Sequence, residues 1–215
     1  MKEHVITYSA AMIRARREGR KTQTRRVYKP HGKFPYQDGE DTGNPSESST
    51  WTEWGPCPYG KPGDRLVVKE AAWMWCAKII DRNRVTKKTG KPKVAWMECR
   101  NVQPIYCADH PEKPTHVPSG QRQKNGDVQY CWHKKNARFL PRWASRGLDE
   151  VVSIRVERLN EITHLDAIAE GCQPHPDCQS QSCCDDYRRL WESINGPGSW
   201  DANPWVWVVT FKTLS

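Results

Sequence analysis

The eight residues GRKTQTRR, which begin at Gly19, bring together one lysine, two threonines and three arginines. If a strand begins here, Thr22, Thr24 and Arg26 share one face, because side chains alternate along a strand. Lys21 reaches that face only from a turn, which Gly19 permits. A lysine near a threonine hydroxyl acts as its base when burial or neighbouring cations lower the lysine pKa. The same residues also describe a phosphate-binding turn, and the residues alone favour that second interpretation.

A second charged group, Lys69 and Glu70, lies in the apolar run RLVVKEAAWMW, which is typical of a buried strand. The two side chains point to opposite faces, and a charge in a buried strand is costly unless it lines a cavity. We therefore expect one of them to face a pocket. A structural ion pair is an equally good alternative.

The segment PRWASR, residues 141–146, offers an indole between cations. Indole faces stack on bases and arginines bind phosphates, so the segment predicts a surface for a nucleotide. The residues concerned are Arg142, Trp143, Ser145 and Arg146. The alternative is that Trp143 closes a β-barrel.

Nine cysteines, an odd number, predict free thiols in a reducing compartment. Four of them fall with one histidine in residues 172–184, where His175-x2-Cys178 has the spacing of a zinc-ligand pair. The adjacent Cys183 and Cys184 cannot easily both bind one ion. Free thiols on a surface loop are therefore the main expectation, and we predict no metal and no cofactor. A zinc site is the minor alternative, with Cys172, His175, Cys178 and Cys183 as its ligands.

The composition points to a nucleic acid or nucleotide partner. The chain has 215 residues, a formal net charge of +9 and eleven tryptophans, and ten of its Lys and Arg residues lie in residues 1–35. Cations neutralise phosphates, and indoles stack on bases. No apolar run approaches the roughly 18 residues of a membrane span, and the N-terminus has no apolar signal region. We therefore expect no membrane partner and a cytoplasmic location.

The pattern of elements predicts a mixed α/β fold with a small β-barrel closed by helices. Ser9 and Gly19 delimit one short helix, and Thr163 with Asp166 caps a second that ends at Gly171. A third, amphipathic helix is predicted to begin near Asp185. Strands are predicted in RLVVKEAAWMW, EVVSIRVERL and PWVWVVTFKTL.

Four blocks in this order resemble the ASCH domain family, especially the larger members carried by tailed phages and prophages. The blocks are GRKTQTRR, PGD-x-L-x-V-K-E, AEG in a late helix and a terminal WVWVVTFK strand. The likeness covers roughly residues 8–27, 55–76, 138–171 and 187–213, about half of the chain. It implies one PUA-like β-barrel domain over residues 1–215. Long insertions are expected at about 30–60, 78–137 and 172–184.

The resemblance also implies a chemistry, since bacterial members of this family hydrolyse the acetamide of N4-acetylcytidine with a Lys, a Thr and a Glu. The matching residues are Lys21, Thr24 and Glu170. Without the resemblance, Glu170 is better explained as a solvated helix residue paired with an arginine. The expected function is thus amidohydrolysis of N4-acetylcytidine or a related modified nucleobase, as a nucleoside or in RNA or DNA.

Around this trio we expect substrate-binding residues, namely Arg20, Arg26, Lys69, Glu70, Arg142, Trp143, Ser145 and Arg146. One alternative is a non-catalytic protein that binds RNA or modified nucleic acid through the same basic pocket. A second is a ribonuclease, and a third is a phage accessory protein whose pocket has degenerated. An enzyme needs the trio to converge, whereas a binding protein does not.

Overall fold

The computed structural model describes residues 1–29, 55–121, 123–125, 128–173 and 180–214. Over these residues the chain is a mixed α/β protein with ten strands in two sheets and three α-helices. The strands are β1 (Glu3–Thr7), β2 (Gln23–Val27), β3 (Arg65–Lys69), β4 (Ala72–Val85), β5 (Pro92–Glu98), β6 (Ile105–Tyr106), β7 (Lys124–Asn125), β8 (Val128–Lys135), β9 (Gly147–Arg158) and β10 (Trp205–Thr213). The helices are α1 (Ala10–Arg17), α2 (His164–Ala169) and α3 (Ser180–Asn195).

The chain divides into two compact units. The first consists of Met1–Ile6, Arg14–Val68 and Gly147–Ser215, and the second of Thr7–Ile13 and Lys69–Arg146. Most of the second unit corresponds to the insertion predicted at about 78–137. Much of the insertion predicted at about 30–60 lies outside the described residues.

The first unit contains a five-stranded sheet in the order β1-β3-β9-β10-β2. Strand β10 pairs antiparallel with the central strand β9 on one side and with the edge strand β2 on the other, so that Val208 lies opposite Arg25 and Val209 opposite Thr24. Valine and tryptophan favour strands, and the run Val206–Val209 of β10 is buried on both faces of the sheet. The strands predicted in EVVSIRVERL and PWVWVVTFKTL are confirmed as β9 and β10.

The helix ends follow the predicted capping residues. The Met12 N–H donates to the Ser9 hydroxyl at 3.4 Å, and Gly19 has φ +75° just beyond α1. At α2 the Asp166 N–H donates to the Thr163 hydroxyl, and the Thr163 N–H donates to the Asp166 carboxylate, both at 3.2 Å. This reciprocal capping box fixes where α2 begins.

Helix α3 begins at Ser180, five residues before the predicted start near Asp185. Its apolar side chains pack on β10 together with α2, in a core that includes Ala167, Tyr187, Trp191, Val206 and Val208. The extra turn is explained by Cys183, which is buried in the same core and therefore extends the apolar stripe backwards.

The second unit contains a sheet in the order β5-β4-β8-β7, with β6 also paired to β4. The run RLVVKEAAWMW, predicted as one strand, is split between β3 and the long strand β4. Each face of β4 has its own small core, one around Met74 and Leu140 and the other around Trp75 and Trp132.

Candidate active site

Lys21 lies in the turn between α1 and β2, and its side chain is fully buried. The backbone N–H of Lys21 donates to the Ala15 carbonyl at 3.1 Å, which ties the turn to the end of α1. The ammonium Nζ donates to the Gln23 carbonyl at 2.7 Å and to the Glu170 carbonyl at 2.9 Å. It also donates to the Glu170 carboxylate oxygen Oε2 at 2.9 Å. Burial of this ammonium is therefore compensated by three acceptors.

Glu170 occupies the C-cap of α2 and is 2% exposed. The next residue, Gly171, has φ +104°, and a Cβ there would lie 2.9 Å from the Cβ of Ala15 and 3.4 Å from the Cβ of Lys21. Only glycine fits both this backbone conformation and this spacing. Gly171 thus allows the end of α2 to approach the Lys21 turn, which brings Glu170 to the ammonium. The alternative interpretation of Glu170 as a solvated residue is wrong, because the carboxylate is enclosed.

A second buried cation, Arg25, binds the other oxygen of Glu170. Its Nη1 donates to Oε1 of Glu170 at 3.3 Å, and its Nε donates to Glu157 at 3.0 Å. Arg25 is 1% exposed. The Glu170 carboxylate therefore lies between two buried cations, Lys21 and Arg25.

The ion-pair network continues from this centre to the surface. Arg25 Nη2 lies 3.4 Å from the Asp166 carboxylate. Arg155, whose side chain is 44% exposed, donates to Glu157 at 2.8 Å and to Asp166 at 3.1 Å. Three cations and three carboxylates thus form one network that is balanced in formal charge. It joins the buried Lys21 to solvent-exposed Arg155.

Burial lowers the pKa of Lys21 from its ordinary value of 10.5, and the charge of Arg26 lowers it further. The Glu170 carboxylate acts in the opposite direction. The sequence left burial and neighbouring cations as possible causes of a lowered lysine pKa, and burial is the larger of the two. Burial also raises the pKa of Tyr187 well above 10, and Glu170 adds to that rise. Tyr187 therefore stays neutral beside the network.

Thr24 is 1% exposed, and its hydroxyl has no hydrogen-bond partner among the described residues. Gln23 and Arg25 both reach Asp166, at 3.0 Å for Gln23 Nε2, so alternation along β2 places Thr24 on the opposite face of the strand. The structure therefore brings Lys21 and Glu170 into contact and leaves Thr24 outside their hydrogen bonds. An unpartnered hydroxyl at full burial is uncommon and needs an explanation.

The two arginines that flank this segment differ in their surroundings. Arg20 donates to the Gly171 carbonyl at 2.7 Å and to Glu18 at 2.9 Å. It thereby holds the turn before Lys21 against the end of α2. Arg26 is half-buried on the Thr24 face of β2 and lies close enough to Lys21 to influence its pKa.

The other predicted substrate-binding residues lie in the second unit. Glu70 follows β3, is 4% exposed, and accepts two hydrogen bonds from Arg146, at 2.7 and 3.1 Å. Arg146 also pairs with Asp109 at 2.8 Å and lies over the Tyr106 ring, 3.6 Å from its centroid. For Glu70 the structure therefore has the structural ion pair that the sequence left as an alternative to a pocket residue.

Four further predicted residues lie near this ion pair in sequence. Lys69, at the end of β3, is half-buried. Arg142 and Trp143 are exposed in the 3₁₀ turn Arg142–Ala144, Trp143 to 37%, and Ser145 is half-buried. A cavity of about 630 Å³ in this unit is lined by Ile105 and residues 109–116, none of which the sequence predicted as a site residue. One of them, Asp109, forms the ion pair with the predicted residue Arg146.

The described cysteines of the cluster at residues 172–184 include two that are buried in the hydrophobic core. Cys172 and Cys183 belong to the core beneath α2 and α3, so the expectation of thiols on a surface loop is wrong for both. Burial, followed by the Glu170 charge, raises the pKa of Cys172 to about 12, which opposes the deprotonation that a metal ligand needs. No group of three metal-ligating side chains occurs among the described residues. His175 and Cys178 lie outside them.

The basic N-terminal block is less available to phosphates than its sequence indicates. Three of its cations are buried in ion pairs with carboxylates. Arg16 pairs with Asp149, and Lys21 and Arg25 both pair with Glu170. A cation that is buried in an ion pair cannot neutralise a phosphate. Salt-dependent binding by this block therefore rests on its remaining cations.

Comparison with known proteins gives no relatives, since no family model, curated protein or solved structure matches this chain. Within the described part of the chain, none of the helices is long and apolar enough to cross a membrane.

Sequence reasoning missed Arg25, the second cation of the site. The alternation of side chains in a strand predicts that Gln23 and Arg25 share one face of β2, and that Arg155 and Glu157 share one face of β9. Only the register of β2, β10 and β9 brings these side chains together beneath α2. That register depends on pairing across more than 100 residues of chain.

Proposed function

We propose that this protein is an amidohydrolase that removes the acyl group from N4-acetylcytidine or a related N-acylated nucleobase. The observation that carries the proposal is the buried pair of Lys21 and Glu170, whose Nζ and Oε2 lie 2.9 Å apart with side-chain exposures of 0% and 2%. Titratable groups with shifted pKa values and a specific charged partner are typical of functional sites. We also propose that the first unit is a PUA-like barrel, as the resemblance to ASCH domains implies.

The proposed chemistry is transfer of a proton between these two side chains. Lys21, once deprotonated, takes a proton from the nucleophile, which is either the Thr24 hydroxyl or a water molecule that Thr24 holds. Attack on the amide carbonyl forms an oxyanion, which the Lys21 ammonium stabilises by charge once it has taken up the proton. Glu170 returns the proton to the leaving N4 amine. If Thr24 is the nucleophile, a water molecule then hydrolyses the acetyl-threonine ester and restores the hydroxyl. On either route the net reaction consumes one water and yields acetate and cytidine.

The buried hydroxyl of Thr24 supports this proposal, because it lowers the stability of the folded protein. A buried hydroxyl without a partner costs about 1–3 kcal/mol, and a valine of the same shape would avoid that cost. A threonine rather than a valine at this position is explained if the hydroxyl forms a hydrogen bond only when substrate is bound. Because Lys21 precedes β2 and is influenced by both Glu170 and Arg26, it is close to charges on both faces of the strand. Since Lys21 and Glu170 are enclosed, substrate reaches them only after the surrounding elements move.

The test is incubation of the purified protein with a panel of N4-acylcytidines, as free nucleosides and within short RNA and DNA, followed by mass spectrometry. Loss of the acyl group from at least one substrate is expected. Glu170→Gln should abolish the loss, while Lys29→Arg, at an exposed lysine of the same basic segment, should retain it. Exhaustive chelation should leave turnover unchanged. A wild-type protein that deacylates none of the panel would overturn the proposal.

A further inference from the structure

The hairpin formed by β4 and β5 has the strongest concentration of exposed positive charge in the described chain. Residues 84–93 contain five cations, and no Asp or Glu occurs between residues 82 and 97. The five are Arg84, Lys87, Lys88, Lys91 and Lys93. All five side chains are exposed, and none forms an ion pair within the part of the chain that the structure describes. In the N-terminal segment, by contrast, three of the cations form ion pairs with buried carboxylates.

The tip of this hairpin is ordered by its own backbone. The Thr86 N–H donates to the Lys91 carbonyl, and the Gly90 N–H donates to the Thr86 carbonyl, both at 2.9 Å. The hydroxyls of Thr86 and Thr89 also bond to one another, and Gly90 has φ +62°. The lysines are therefore presented from a closed turn, so a partner does not have to order this backbone on binding.

The hairpin also exposes apolar side chains on both of its faces. Ile80 lies opposite Val94 on one face, at 49% and 45% exposure. Ile79 lies on the other face with Met97, at 40% and 60%. From Ile79 to Val85 the ribbon extends about 20 Å at the usual rise per residue. A partner that covered only one face would leave the other apolar face in water.

We propose that this hairpin is a binding element for double-stranded DNA and inserts into the major groove of the duplex. The major groove of B-form DNA, about 12 Å wide and 8.5 Å deep, admits a two-stranded β-ribbon, so its floor and walls surround more of the ribbon than a flat surface does. The lysines of the tip then meet the phosphates that line the groove, and the isoleucines and Met97 meet sugars and base edges. A membrane or a flat protein surface would cover one face only.

A simpler explanation accounts for part of this pattern. Strand β5 lies at the edge of its sheet, and edge strands are protected against pairing by lysine and proline. That explanation fits Pro92 and Lys93, which lie on β5. It does not explain Lys87 and Lys88, which lie in the turn, or the apolar side chains on both faces.

The test uses the full chain and two quadruple variants that each lower the formal net charge from +9 to +5. The hairpin variant is Lys87→Gln, Lys88→Gln, Lys91→Gln and Lys93→Gln. The control variant changes four exposed lysines elsewhere, Lys2→Gln, Lys61→Gln, Lys113→Gln and Lys124→Gln. Equal far-UV circular dichroism and equal melting temperatures establish that both are folded. The probe is a fluorescein-labelled 20-base-pair DNA duplex of mixed sequence, and its binding is measured by fluorescence anisotropy over a salt series.

Wild-type protein and the control variant are expected to bind the duplex with similar affinity. The hairpin variant should bind about 10²-fold more weakly, and its dependence of log K on log salt should be shallower by about 3, because up to four phosphate contacts are lost. A further variant of the hairpin, Ile79→Thr with Ile80→Thr, should weaken duplex binding several-fold without a change in the salt slope. Turnover of free N4-acetylcytidine should be the same in all variants, so this test is independent of the proposed function.

Three results would overturn the proposal. The first is equal duplex binding by the hairpin and control variants, or no duplex binding by the wild type. The second is tighter binding to the single strand of the same sequence, which would assign the hairpin to unpaired nucleic acid. The third is capture by vesicles of anionic phospholipid without duplex binding, which would assign it to a membrane surface.

Discussion

The Lys21 ammonium lies 2.9 Å from the Glu170 carboxylate at a point that solvent does not reach, although 149 residues separate the two along the chain. Buried ion pairs contribute little net stability, because desolvation offsets their attraction. The presence of this pair is better explained by the proposed function, which needs a lysine with a lowered pKa. This contact is the basis of the proposed chemistry.

The cost of breaking this pair can be measured directly. Glu170→Gln leaves Lys21 and Arg25 buried without their shared carboxylate and should lower the free energy of unfolding by about 3–5 kcal/mol. The double variant Lys21→Met with Glu170→Gln should lose less than the sum of the two single changes, because the uncompensated ammonium is gone. Urea unfolding of the four proteins gives the coupling energy. Strictly additive losses would show that the two side chains do not interact.

Thr24→Val separates stability from activity at one position. Removal of an unpartnered buried hydroxyl should raise the free energy of unfolding by about 1 kcal/mol, since valine has the same shape and favours strands. Turnover should fall by about 10²-fold or more if the hydroxyl supplies or holds the nucleophile.

The matched control is Thr22→Val, at an exposed position two residues earlier. Thr22→Val should change neither the free energy of unfolding nor the turnover appreciably. A Thr24→Val protein with normal turnover would remove Thr24 from the proposed mechanism and confine the chemistry to Lys21 and Glu170.

Asp166 makes the stability of the first unit depend on pH. Burial raises the pKa of this carboxyl, but hydrogen bonds from Gln23 and Thr163 and the charge of Arg25 lower it far more. The unfolded chain, with an ordinary aspartate pKa near 3.9, therefore takes up the proton first as the pH falls. The stabilisation that Asp166 provides is present at neutral pH and is lost progressively below about pH 4.

The measurement is the difference in unfolding free energy between wild type and Asp166→Asn from pH 7 to pH 3. The difference should be largest at pH 7 and should shrink at the acid end. Asp201→Asn, which changes a carboxylate that is 68% exposed, is the control for general acid effects. A difference that stays constant over this range would contradict the assigned hydrogen bonds.

The local elements were predictable from the sequence because their signals are local. Thr163 with Asp166, and Gly171 after them, fix the ends of α2 within a few residues, so the position of Glu170 at its C-cap followed. The contact between Glu170 and Lys21 did not follow from those signals. It was expected only through resemblance, because nothing in either segment specifies the other.

The partners of Arg25 were not predictable for a related physical reason. In GRKTQTRR every arginine is a plausible phosphate ligand, and only the register of β2 on β10 and β9 shows that Arg25 is enclosed with Glu157 and Glu170. The hairpin of β4 and β5 was also not predicted as a unit, because the sequence marked residues 78–137 only as an insertion. Its strand pattern is weak, since both of its faces are exposed.

The most direct test of the proposed chemistry is the rate of N4-acetylcytidine deacylation by wild type and by Lys21→Arg, measured side by side. Arginine keeps the positive charge, but it cannot deprotonate near neutral pH, so it cannot act as a base. We expect Lys21→Arg to lose about 10²-fold or more in turnover, while Lys29→Arg retains the wild-type rate. Binding of the duplex probe should be unchanged in both. A Lys21→Arg protein with near-native turnover would contradict the assignment of Lys21 as the base.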